Sequence, residues 1–94
     1  MPRCKKTRRC AKFEGYEVYK PVGVRIDLLE RVHLEMDELE AVRLCDLLNM
    51  TQDEAGAEMG ISRGTVQRLL KKGRSKTADA LIKSKVLIIN KNLE

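Results

Sequence analysis

The sequence has no tryptophan, one phenylalanine and two tyrosines in 94 residues, so Leu, Ile, Val, Met and Ala must supply any core. One histidine, His33, leaves little for histidine-based catalysis. The three cysteines, Cys4, Cys10 and Cys45, are odd in number and show no paired spacing, which argues against a disulfide framework. A closed zinc site normally shows paired ligand spacing, so no metal is expected. Nearby Lys and Arg would lower the thiol pKa of Cys4 and Cys10, but a chance pair of thiols in a basic tail is the simpler reading. No apolar run approaches the roughly 18 residues that cross a bilayer. The first twelve residues are basic rather than apolar, unlike a secretory signal. A cytoplasmic location without membrane contact is the expectation. No phosphate-cradling loop, nucleophile elbow or convergent carboxylate pair is visible, and Asp37, Glu38 and Glu40 read as an exposed acidic helix face. Neither enzymatic activity nor a cofactor is expected.

What the chain has in quantity is charge, and the charge is sorted along it. Lys plus Arg total 19 against 14 Asp plus Glu, a net +5. Residues 1–12 carry Arg3, Lys5, Lys6, Arg8, Arg9 and Lys12 and no acid, and read as a basic flexible arm. Residues 13–30 hold every aromatic, Phe13, Tyr16 and Tyr19, and read as a connector, with Pro21 and Gly23 marking an extended-then-turn path. From Val24 to Gly60 the acids Asp27, Glu30, Glu35, Asp37, Glu38, Glu40, Asp46, Asp53, Glu54 and Glu58 face only Arg25, Arg31 and Arg43. From Ile61 to Lys76 there is again no acid, while Arg63, Arg68, Lys71, Lys72, Arg74 and Lys76 are basic.

Residues 31–90 form the expected folded domain. Val32 and Leu34 alternate with polar neighbours, and Val86–Ile89 is a short β-branched run, so strands near 31–34 and 86–89 are predicted to pair. Apolar spacing through Ala41, Cys45 and Leu48 predicts a helix near 36–48, with Asn49 as its stop. Thr51 followed by Glu54 is a capping box that starts a second helix near 52–59, with Ala55 and Met59 inward. Gly56 suits close approach of another helix. Gly60 suits a left-handed turn, Ile61 plugs the corner, and Ser62 caps a third helix near 62–83. Val66, Leu69 and Leu70 then face inward, leaving Arg63, Gly64, Gln67, Arg68 and Lys71 outward.

This is the residue pattern of a helix-turn-helix, whose second helix enters the DNA major groove with its N-terminal residues at base edges. An ordinary helical hairpin explains the turn and the apolar residues. It does not explain why only the exposed face of the motif's second helix is free of acid, while the preceding helices are acid-rich. The expected base contacts are Arg63, Gly64, Gln67 and Arg68, since Arg fits the O6/N7 edge of guanine and Gln the N6/N7 edge of adenine. The expected phosphate contacts are Thr51, Ser62, Thr65, Lys71, Lys72, Arg74 and Lys76, with Arg3, Lys5, Lys6, Arg8 and Arg9 of the arm. Phe13, Tyr16 and Tyr19 serve better as anchors for the connector than as platforms for unpaired bases.

The stretches Tyr19-Lys20-Pro21-x-Gly23, Leu39–Leu44, Thr51-Gln52-x-Glu54-Ala55, Met59–Leu70 and Lys76-x-Ala78-x-Ala80-Leu81 occur in this order. Together with Met1-Pro2-Arg3 they resemble the UPF0251 (DUF134) family. From about Leu34 to Leu81 the chain is also similar to region 4 of sigma-70-type factors. The resemblance implies a mainly α, three-helix, sigma-region-4-like helix-turn-helix domain with short flanking strands, and predicted DNA binding. Some relatives are associated with domains resembling nitrogenase-cofactor-binding proteins, which suggests a metal- or redox-linked regulatory setting. The chain departs from the pattern at Cys4 and Cys10, at Glu35 where a Thr cap is usual, and at Gly64 in the first turn of the third helix.

The expectation is a sequence-specific binder of double-stranded DNA that regulates transcription, with a homodimer and the transcription machinery as further partners. Two alternatives stand beside it. One is a protein-interaction module using the acidic first helix; the other is a non-specific architectural DNA binder.

Overall fold

The computed structural model describes residues 16–90. Among them are three helices and a three-stranded sheet, in the order β1 (Tyr16–Tyr19), β2 (Arg31–Leu34), α1 (Met36–Val42), α2 (Gln52–Met59), α3 (Arg63–Ile82) and β3 (Val86–Asn90). A short 3-10 turn, Ile26–Leu28, lies between β1 and β2. The mainly helical expectation holds, and so do the predicted strands and their pairing.

β3 is the central strand. It pairs in parallel with β2, Arg31 opposite Val86 and Leu34 opposite Ile89. It pairs antiparallel with β1, Tyr16 opposite Asn90 and Tyr19 opposite Leu87. A central strand covered on both faces should be apolar without alternation, and Val86, Ile88 and Ile89 are all buried. The segment read as a connector, 13–30, therefore contains a strand. Tyr16-Glu17-Val18-Tyr19 is too short and mixed to announce itself, and it becomes a strand because β3 offers it an edge.

All three helices lie between β2 and β3, so the parallel pair closes a loop around the helical unit. Lys85, in the turn from α3 to β3, donates to Asp79 at 2.9 Å and lies 3.3 Å from Glu30, just ahead of β2. These two carboxylates hold its ammonium above the ordinary lysine range.

Residue chemistry accounts for the helices. The Glu38 carboxylate accepts the backbone N–H of Glu35 at 3.0 Å and so supports the start of α1. After Val42 the helix widens into a π turn, Arg43–Leu47, in which Leu48 N–H bonds to the Arg43 carbonyl. Asn49, at φ +61°, ends it in the left-handed conformation that Asn tolerates. Thr51 and Glu54 form the predicted capping box on α2, with Thr51 Oγ1 accepting Glu54 N–H at 3.1 Å. Gly60 adopts φ +73° and Ser62 Oγ accepts Thr65 N–H at 3.2 Å, so a three-residue turn, Gly60-Ile61-Ser62, joins α2 to α3.

Leu44, Ala55 and Val66 form the buried centre, with Cys45, Met50, Met59 and Ile61 packed against it. Two sequence readings need correction. Gly56 makes room for the turn rather than for a second helix, because a Cβ there would lie 2.7 Å from the Ile61 carbonyl oxygen. Glu38 does not sit on an exposed face: it is 4% exposed. No helix among the described residues is long and apolar enough to cross a membrane.

Candidate nucleic-acid interface

Ser62 and the buried Val66, Leu70, Gly73 and Ala80 fix the orientation of α3. With that face committed, Arg63, Gly64, Gln67, Arg68, Lys71, Lys72 and Arg74 are exposed. Arg63, Lys71 and Lys72 form no ion pair among the described residues, and no acid occurs on α3 before Asp79. A Cβ at Gly64 would meet nothing within 4 Å, so the backbone at this position is uncovered. Three side chains follow one another at this end. Ser62 Oγ lies 2.9 Å from Thr65 Oγ1, and Arg68 Nη2 donates to Thr65 Oγ1 at 3.4 Å.

The structure leaves the four expected base contacts and Ser62, Thr65, Lys71 and Lys72 together on the broad side of α3 turned away from its buried stripe. It gives Arg74 and Lys76 other partners. The Arg74 guanidinium donates from Nη2 to Asp46 Oδ1 at 2.7 Å and from Nε to Asp46 Oδ2 at 3.0 Å, joining α3 to the π turn. That pairing lowers the Asp46 pKa below the ordinary carboxylate range. Arg43 does the same for Glu40 through a two-point contact of 2.9 and 2.7 Å.

Lys76 donates to Glu38 Oε1 and to the His33 carbonyl, each at 2.8 Å, and so connects β2, α1 and α3. Its ammonium is a strut of the fold. Thr51 stands at the start of α2 with its hydroxyl oxygen engaged by Glu54 N–H. Arg3, Lys5, Lys6, Arg8 and Arg9, like Cys4, Cys10 and Phe13, lie outside the described residues.

The sequence reading missed the contact that lets α3 lie against α1. A Cβ at Gly73 would approach Val42 Cγ2 to 2.7 Å and the Glu38 carbonyl oxygen to 3.0 Å. The signal was present: Gly73 recurs at helical spacing with Val66, Leu70 and Ala80, on the inward stripe.

The model of the family described as "Protein of unknown function DUF134" matches residues 1–92. A UPF0251 protein of Dehalococcoides mccartyi is 48% identical over 89 residues, which are 95% of this chain and 76% of the relative. A UPF0251 protein of Vibrio vulnificus is 43% identical over 95% of this chain and 89% of its own length. One of Chloroherpeton thalassium is 43% identical over 95% of this chain but only 59% of its own length. No solved structure matches the chain.

Proposed function

The chain belongs to the DUF134 family, and from the surface of α3 we propose that it binds double-stranded DNA sequence-specifically and regulates transcription. In this reading α2, the Gly60-Ile61-Ser62 turn and α3 act as a helix-turn-helix of the sigma-region-4 kind. α3 enters the major groove N-terminal end first. The observation that carries the reading is the exposed face of α3 from Arg63 to Lys72, which holds unpaired cations and no acid. A merely structural helix would not need this, since the ion pairs of Arg74 and Lys76 already attach α3 to its neighbours.

Arg63 and Gln67 face base edges, as guanine and adenine readers respectively. The bare backbone at Gly64 lets the helix come close. Lys71 and Lys72 neutralise phosphates, with the hydroxyls of Thr51, Ser62 and Thr65 near the same strand. The basic residues of the arm, Arg3 to Arg9, add to this sequence-independent attraction.

Fluorescence anisotropy on a random duplex pool across a salt series, with selection and sequencing of the bound fraction, tests the reading. Each phosphate neutralised contributes about −0.9 to the log–log salt slope, so Lys71 and Lys72 alone predict about −1.8, steepened by each further contact the arm makes. An enriched motif is expected, and a palindromic one would mean a dimer. Changing Arg63 and Gln67 together to Ala should relax the motif at the bases they read, at about 1–3 kcal/mol each. Absence of binding at low salt would overturn the proposal, and binding without any motif would leave an architectural role.

A protein contact on the acidic α1 and the π turn that continues it is the second reading. It is favoured by Leu47, 71% exposed beside Leu39 and Val42. The Arg63 and Gln67 changes would leave such a contact intact.

A further inference from the structure

Successive residues of a helix are about 100° apart, so Arg63 and Gln67 stand about 40° from each other, while Arg68 lies about 140° round from Arg63. The Arg68 guanidinium is held on that other side by the Thr65 hydroxyl, which Ser62 in turn contacts. There Arg68, Lys71, Lys72, Ser75 and Lys76 line a shallow, open depression running along α3. No acid lines it, and the ammonium of Lys76 is taken up by Glu38 and His33. The Ser75 hydroxyl and the Lys71 and Lys72 ammonium groups have no partner among the described residues. A guanidinium, two ammonium groups and a hydroxyl around one hollow are the donor set that a phosphate oxyanion accepts from.

We propose that this hollow holds a backbone phosphate of duplex DNA, with Ser75 as a direct ligand and Arg68 as a phosphate ligand rather than a base reader. The inference rests on the DNA-binding reading and divides α3 into two stripes. Gln67 and Ser75 are eight residues apart, about 12 Å along the axis. The major groove is about 12 Å wide. A helix that presents Arg63 and Gln67 to base edges therefore carries Ser75 to the wall of the groove, where phosphates line the duplex.

The full chain and two exposed-site variants, Arg68→Ala and Ser75→Asp, are compared by the selection and salt-series measurements above, with circular dichroism to check helix content. Arg68→Ala should weaken binding to every duplex alike, lower the magnitude of the salt slope by about 0.9 and leave the motif unchanged. Ser75→Asp, which puts a negative charge into the hollow, should weaken all duplexes by about tenfold or more. Ser75→Ala, which removes only the hydroxyl, should weaken them less.

A relaxed motif with an unchanged slope in Arg68→Ala would make Arg68 a base reader and overturn the assignment. So would wild-type affinity in Ser75→Asp. Saturable binding of inorganic phosphate at sub-millimolar concentration, seen as amide shifts at Lys71–Ser75, would make the hollow a free-phosphate site instead. If the wild-type chain bound no duplex at all, the DNA-binding reading would fail and take this one with it.

Discussion

Two glycines of α3 make opposite demands on their surroundings, and alanine at each should separate them. At Gly64 a Cβ meets open space, so Gly64→Ala should raise stability by about 0.5 kcal/mol through helix propensity alone. On the DNA-binding reading it should also weaken duplex affinity, because the added methyl lies where the backbone approaches the groove. At Gly73 the Cβ would meet a backbone carbonyl as well as Val42, and neither can yield cheaply. Gly73→Ala should therefore cost about 1–3 kcal/mol, read as a lower urea midpoint.

The partners of Lys76 set a third expectation at this scale. Lys76→Ala leaves the buried Glu38 carboxylate without its counter-ion and should cost about 2 kcal/mol. The salt slope of duplex binding should stay the same, in contrast to Lys71→Ala. Sequence alone could not assign Lys76 or Arg74 to the fold, because their partners lie 38 and 28 residues away. Glu38 was more legible. It falls three residues before Ala41 and seven before Cys45, on the very stripe that turns inward, and its charge obscured this.

At the scale of elements, the helices were the readable part because their boundaries are written in local chemistry. The cap at Thr51, the left-handed Gly60, the cap at Ser62 and the stop at Asn49 each act within a few residues of chain, and all four appear where expected. Ser62→Ala should cost about 1 kcal/mol in thermal or urea unfolding, because the Thr65 N–H loses its acceptor. The π turn over Arg43–Leu47 was not readable, and neither was β1. A four-residue edge strand containing a glutamate is decided by its partner rather than by its own pattern, and the partner of Tyr16 is Asn90. The pairing of β2 with β3 was expected from their composition, whereas the place of β3 at the centre of the sheet was not.

For the whole molecule, acid is the natural probe. Asp46 and Glu40 have folded-state pKa values below their unfolded ones. Whatever stability they confer is thus complete above the ordinary carboxylate range and is lost as pH falls through that range and below it. Both pairs are more than a third exposed and screened by solvent, so the Asp46–Arg74 pair should contribute only about 0.5 kcal/mol and the Glu40–Arg43 pair little. Asp46→Asn should flatten the acid side of a stability–pH curve while leaving its neutral plateau nearly in place.

The central position of β3 has a consequence in time rather than in space. Both of its neighbours come from the other end of the described chain: Val86 meets Arg31, and Asn90 meets Tyr16. On a ribosome, β1, β2 and the helices are all synthesised before the strand that pairs with both β1 and β2. Contacts so distant in sequence are also slow to form in a free chain. Pulse-labelled hydrogen exchange should find α2 and α3 protected early and the amides of β1 and β3 protected together, last, so that the helical unit would form before the clasp that closes it.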